Sequence, residues 1–449
     1  MSRLVSLSLA LATLALAACD ADPVRPPAAG LEGRRAASAA AAAAACPVEG
    51  ALAVRRIDPP GATTSGAVAV NDLGEAVVVA EPGGAFLWSP ASGFRPIPID
   101  SPAAINGLRR VVGTNGEGDA SIPVTWTPDG GLQPLALPAG YSSGGANDIN
   151  DAGVVAGWVR DPDYGRRPVR WVGGAPEFLS LEGVTYFVSL QGAVAVNDAG
   201  DVVGNVWAES FGYSLVWPSD GSAPLYIATP GLGDGGFSYD INDARQLVST
   251  TLPVMFVEFD SFLYTPGTGF IPIGPSDPEP GVRSIYNTAA ALNDAAVVVG
   301  GQYTYFYATL ESARAYRWTS SEGTTVLPLL PGTDRSDATD INEAGLIVGG
   351  SGNVAVLWAP STPATELAAL ADQVRALAAS GAIGEADAAP LLAKLTNAAR
   401  LLAEGRDAPA RNLVGAFANQ VRALERSDRI DDAAAESLLG AASCLTASL

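Results

Sequence analysis

The chain has 449 residues, with 26 basic against 47 acidic side chains for a net charge of −21, and it contains no histidine. So electronegative a surface repels a phosphate backbone, which excludes nucleic acid as a partner. The missing imidazole removes Ser-His-Asp and Cys-His catalysis together with every His-ligated metal site, and no metal or other cofactor is expected.

Residues 1–18 read as an export signal: Arg3 supplies a positive charge, and an uncharged stretch runs from Leu4 to Leu16 before small residues. That stretch is shorter than the roughly 20 residues a membrane-spanning helix needs. Leu16-Ala17-Ala18-Cys19 resembles the bacterial lipobox. The resemblance implies cleavage before Cys19, acylation of its thiol, and an extracytoplasmic protein held to membrane lipid on the periplasmic side or at the cell surface. Residues 19–47, with Pro23, Pro26, Pro27 and the alanine run Ala39–Ala45, offer no apolar face and read as a flexible tether. With Cys19 acylated, Cys46 and Cys444 form an even pair in an oxidising compartment, to be bridged or left as two thiols.

Between residues 48 and 360 one pattern recurs seven times. It reads Val-Asn-Asp-Leu-Gly from Val70 and Ile-Asn-Gly-Leu-Arg from Ile105, and starts again at Ile149, Val196, Ile241, Leu292 and Ile341. The asparagines at 71, 106, 150, 197, 242, 293 and 342 are spaced by about 45 residues, the length of a four-stranded propeller blade. Each unit adds an alternating segment that ends in Trp88, Trp126, Trp171, Trp217, Tyr264, Trp318 or Trp358, and then a turn and a short apolar strand. This predicts an all-β, seven-bladed propeller. The paired motifs resemble the bacterial extracellular HAF repeat over about residues 50–360, with Gly84-Ala85-Phe86 in place of the namesake triplet. The resemblance implies an exported propeller and no particular activity.

Asn-Asp-x-Gly predicts a tight hairpin turn, because Asn and Asp bond nearby backbone and Gly accepts positive φ. Asp148-Ile149-Asn150-Asp151-Ala152-Gly153 resembles the opening of a calcium loop, but Ala152 stands at a ligand position and no bidentate Glu follows. Arg109, Arg245 and Ala296 replace the turn glycine in three units, a change the turns are expected to absorb by relaxing. The recurring tryptophans predict packing between blades.

Units four to six differ from the rest by longer aromatic insertions, with Trp207, Phe211 and Tyr213, then Phe256 and Phe259, then Tyr303, Tyr305 and Tyr307. On the face opposite the Asn turns these residues are the candidate ligand contacts, suited to stacking on a sugar. Longer hairpins that pack on each other are the plainer reading, since aromatics are ordinary strand formers.

Residues 361–449 change to helical periodicity, with helices expected at about 365–380, 385–404, 409–426 and 431–446. The block is a duplication: Gln373-Val374-Arg375-Ala376-Leu377 recurs as Gln420-Val421-Arg422-Ala423-Leu424. Two helical hairpins would share one core. The expected function is a non-enzymatic, membrane-anchored binding or scaffold protein that recognises a glycan or protein through one propeller face. A glycoside hydrolase or lyase using paired carboxylates is the first rival, and a purely structural envelope protein the second. The last expectation is closure, with residues 51–57 pairing against 354–358 to complete the seventh unit.

Overall fold

A computed structural model describes residues 52–90, 92–163, 165–182, 189–208, 211–228, 236–251, 261–274, 283–306 and 309–449. Cys19, Cys46, Phe256, Phe259 and Tyr307 lie outside them, as does the side chain of Phe211. The repeats form a β-propeller, and a four-helix domain follows it. Within a unit the second strand is an almost unbroken buried run, as in Val155–Asp161 and Leu247–Thr251, because neighbouring units cover both of its faces.

Strands Thr64–Val70, Ala76–Glu81, Gly84–Ser89 and Gly93–Ile97 make one antiparallel meander, and the other units repeat it. The ring closes as expected: Leu52–Arg56 is the outer strand of the last sheet, antiparallel to Val354–Pro360, with Leu52 opposite Pro360 and Arg56 opposite Val356.

The sheets do not separate into seven. Five are four-stranded and one is eight-stranded. The strand Gly165–Val172 begins three residues ahead of Pro168, where the sequence motif starts, and its early end runs parallel to Ser189–Val196 through Gly165↔Leu190 and Arg166↔Gln191. That added pairing joins the third and fourth units edge to edge.

The Asn turns form as expected, but those without glycine do not relax. Arg109, Arg245 and Ala296 hold φ of 60°, 56° and 54°, the left-handed conformation that Gly74, Gly153, Gly200 and Gly345 adopt in the other turns. An L side chain there costs roughly 1–2 kcal/mol. The two arginines offset it by reaching back to the preceding unit, Arg109 Nε to Glu75 at 2.8 Å and Arg245 Nε to Asp201 at 2.6 Å.

The tryptophans pack unit against unit. Trp171 Nε1 donates to the Ala136 carbonyl at 2.6 Å, Trp217 to Ser180 at 2.6 Å and Trp358 to Pro328 at 2.8 Å, each partner belonging to the preceding unit.

Helices α1 (Pro363–Ala379), α2 (Glu385–Ala403), α3 (Asp407–Arg426) and α4 (Asp432–Ser448) lie within a few residues of their expected places. Thr362 and Thr365 cap α1 reciprocally with Pro363 at its first position, and Asp431 caps α4 by accepting from Ala434 N–H. Leu370, Val374, Leu391, Leu395, Phe417, Val421 and Leu438 form one buried core. The domain meets the ring through Arg55, whose guanidinium lies 2.8 Å from Asp372 on α1.

Ala296 carries the left-handed strain with no ion pair in compensation. Ala296→Gly is therefore expected to stabilise the ring by about 1 kcal/mol in chemical denaturation, net of the added chain entropy. A destabilised variant would mean that the turn bears no strain.

Candidate functional site

The seven turn asparagines converge on the ring axis, each only 3–5% exposed. In the third unit Asn150 Oδ1 accepts the Val154 N–H at 2.8 Å, which closes the hairpin, and its Nδ2 donates to the Asn197 carbonyl at 2.8 Å. The same donation runs from Asn71 to Asn106, Asn106 to Asn150, Asn197 to Asn242, Asn242 to Asn293 and Asn293 to Asn342. Asn342 completes the circuit by donating to Asn71 at 2.9 Å. Only an amide of this length both accepts from its own turn and donates to the next. Aspartate has no donor to complete the step.

A second run of bonds passes between the turns and is open between the first and second, where Gly107 has no carboxylate. Asp151 Oδ1 accepts from Gly107 N–H, Asp198 from Asp151, Asp294 from Asp243, Glu343 from Asp294 and Asp72 from Glu343. Asp243 accepts one residue further on, from Ala199. In the six turns that carry one, the acidic residue therefore serves the backbone of its neighbour. Burial raises Asp198 and Glu343 above the ordinary carboxylate range, and nearby acids add to the effect.

Asp148, Asp240 and Asp340 line, together with residues of both runs, a cavity of about 180 Å³ on the axis. Each carboxylate takes two N–H groups: Asp148 bonds Ile149 and Val196, Asp240 bonds Ile241 and Leu292, and Asp340 bonds Ile341 and Val70. These donors belong to the residue just before each turn Asn. Because Asn N–H pairs across the hairpin, as Asn106 does to Arg110 O, the preceding residue is a non-bonded pair whose N–H points away from its partner strand. Ile105 occupies the same position in the second unit, where Ala104 and Ala69 stand in place of aspartate, and no side chain among the described residues bonds its N–H.

Desolvation pushes Asp148 up to about 6 and Asp340 up to about 7, against the stabilising N–H bonds. Asp240 rises well above the usual range through burial and then through its proximity to Asp148.

The aromatic candidates lie elsewhere and in two separate sheets. Trp207 packs edge-on to Phe237 with ring centroids 5.8 Å apart, and Tyr213 is half-buried against the core of its unit. Tyr303 Oη donates to Asp337 at 2.9 Å, a bond that reaches the next sheet. Burial, and then the Asp337 charge, hold that phenol far above its ordinary range, while desolvation raises Asp337 to about 6. Tyr305 meets Tyr286 at 5.4 Å and 75°. Trp207, Tyr303 and Tyr305 thus each engage a neighbouring side chain. Sequence reasoning passed over the axial aspartates, although they had a signal. Two residues before the turn Asn, units three, five and seven carry Asp148, Asp240 and Asp340, where the others carry Ala69, Ala104, Ala195 and Ala291.

Fold and site together define a β-propeller with a polar axis and an appended helical domain. Residues 367–447, within that domain, match the family model of the FIMAH domain. No curated protein matches the chain. Among solved structures, a streptogramin B lyase aligns at 10% identity over 69% of this chain and 98% of its own, with a TM-score of 0.45. A TolB-type protein from Agrobacterium tumefaciens aligns at 11% identity over 60% and 92%, with a TM-score of 0.37. The SapL1 lectin, solved with alpha methyl fucoside, aligns at 15% identity over 56% and 88%, with a TM-score of 0.29.

Two predictions follow from the axis. Asn197→Ala leaves the Asp201 N–H without its acceptor and removes one of the two donors to the Asn242 carbonyl, which keeps the Arg245 N–H, and is expected to cost about 1–3 kcal/mol in denaturant unfolding. The axial aspartates have folded values above the unfolded one, so the folded state holds the extra protons. Their contribution is full below about pH 4 and is lost as pH rises through 6 to 7. Melting temperature should fall by several degrees between about pH 5 and 8, and the triple variant Asp148→Asn, Asp240→Asn, Asp340→Asn should flatten that slope. An unchanged slope in the variant would assign the titration to other groups.

Proposed function

We propose that the protein is an extracytoplasmic, lipid-anchored binding or scaffold protein that recognises a glycan or protein ligand through one face of a seven-bladed ring. In this reading the eight-stranded sheet counts as two blades joined at one edge. The seven-membered Asn circuit supports that count.

The observation that carries the non-enzymatic reading is the commitment of the axial acids. Hydrolysis of a glycoside needs two carboxylates free to act as acid and as base or nucleophile. Here Asp148, Asp240 and Asp340 each hold two backbone N–H groups, and the acids of the turns each hold one from the neighbouring turn. In this reading recognition falls to the opposite face, where Val298–Phe306 and Thr309–Thr319 form the longest hairpin between second and third strands among the described residues.

No helix among the described residues is long and apolar enough to cross a membrane, in keeping with attachment through a lipid on Cys19. A bridge between Cys46 and Cys444 belongs to the same proposal. Cys444 is buried on α4 one turn before Ser448, whose Oγ lies 3.1 Å from Glu366 at the start of α1. Leu52, six residues after Cys46, pairs beside that start at Pro360. The bridge would tie the tether to the helical domain.

Cys19→Ala is expected to abolish labelling by a fatty-acid probe, and persistent labelling would refute the anchor. A form lacking residues 1–18 and carrying that change, screened on a glycan array beside general glycosidase assays, should bind without turnover. Turnover would overturn the reading in favour of the hydrolase. Tyr305→Ala should weaken any binding more than it lowers the melting temperature.

A further inference from the structure

The duplication in the helical domain supplies an internal control. Displaced by 47 positions, α1 and α2 map onto α3 and α4, so Gln373 corresponds to Gln420, Pro390 to Ser437 and Lys394 to Ala441. Across the two halves Gln420 Oε1 on α3 accepts the Lys394 ammonium of α2 at 2.5 Å, and that ammonium also lies 3.4 Å from the Pro390 carbonyl. At the reciprocal pair, between α4 and α1, Ala441 has no donor to offer, and Gln373 Oε1 is buried with no hydrogen-bond partner among the described residues. Such an orphaned acceptor is destabilising unless something from outside meets it.

Space exists where the second ammonium would lie. A cavity of about 180 Å³ opens between the ring's outer strand Leu52–Arg56 and helices α1 and α4. Gln373 and Ser437, the counterparts of the two groups that hold Lys394, both line it. Its walls include Val54, Leu330, Ala376 and Leu377, which suit methylene groups. Arg55, Arg56 and Asp372 are the charged groups in its lining, and each is already engaged: Arg55 and Arg375 share Asp372, and Arg56 is held by Asp58. The chain as a whole is strongly anionic.

We propose that this interdomain cavity binds an aliphatic primary ammonium, with its head on Gln373 Oε1 and its methylenes along the apolar wall. The ligand replaces from outside what Lys394 provides to Gln420 at the reciprocal contact. A free diamine and the lysine side chain of a partner polypeptide share this chemistry.

The test uses the chain from residue 19 onward. Titration calorimetry with n-butylamine should give saturable binding in the millimolar range, with none for n-butanol. Gln373→Leu, which removes the acceptor at nearly constant volume, should weaken it by about tenfold or more. Ala441→Lys should abolish it and should melt above Ala441→Met, which adds bulk without charge. Tighter binding of 1,5-diaminopentane than of Nα-acetyl-lysinamide would identify a free diamine, and the reverse order a protein lysine. Equal butylamine binding by the wild type and Gln373→Leu would overturn the proposal, because attraction to an acidic surface would then explain it. So would an Ala441→Lys variant no more stable than Ala441→Met.

Discussion

The ring depends on a hydrogen bond made seven times, from each turn asparagine to the carbonyl of the next. Each asparagine also closes its own hairpin, so one side chain fixes both the turn and the angle to the neighbour. Apolar packing between units is non-directional and would tolerate sliding. Buried amides are intolerant of it, because a slip leaves donors and acceptors unpaired in a dry setting. The tryptophan N–H bonds add a second constraint at the periphery, again from unit to preceding unit. Inner and outer contacts together hold the sheets in one arrangement.

That arrangement explains an otherwise puzzling tolerance. Turns without glycine keep a left-handed residue, because relaxing would move the asparagine beside it and break two units at once. The cost is offset locally where the side chain allows, through Arg109 to Glu75 and Arg245 to Asp201. Those partners are not spare acids. Glu75 and Asp201 each also lie within 3.3 Å of the amide of their own turn asparagine, so the compensation feeds back into the circuit.

Much of this was legible before any coordinates. The spacing of the asparagines gave the repeat, the tryptophans gave the packing between units, and the duplicated Gln-Val-Arg-Ala-Leu gave the helical domain its internal symmetry. The strand Leu52–Arg56 could be assigned to the last sheet because its own unit had no place for it. What could not be read were contacts between residues some 45 apart. Asn-Asp looks like a complete turn motif locally, so nothing nearby announces that Asn150 also serves Asn197, or that Asp151 serves Gly107. Asp148 is harder still, since its two donors lie one residue and one whole unit away. The union of the third and fourth units escaped notice because the parallel pairing begins at Gly165, ahead of the recognisable motif. Gln373 shows the opposite limit: its sequence is identical to that around Gln420, and only the replacement of Lys394 by Ala441 separates a satisfied amide from an orphan.

The axial aspartates have a consequence that belongs to arithmetic. Each takes two inward N–H groups, one from its own unit and one from the next, so they divide the circle into pairs. Seven cannot be divided into pairs, and one position, Ile105, must be left over. Identical units could never satisfy this arrangement, because an aspartate in every unit would compete for the same donors, and an aspartate in none would leave them all bare. Divergence between the repeats is therefore required by parity, and it gives a nearly symmetric ring a defined seam at its second unit. If the ring ever opens, recruits a water or admits a foreign acceptor at its axis, that seam is where the odd number directs it.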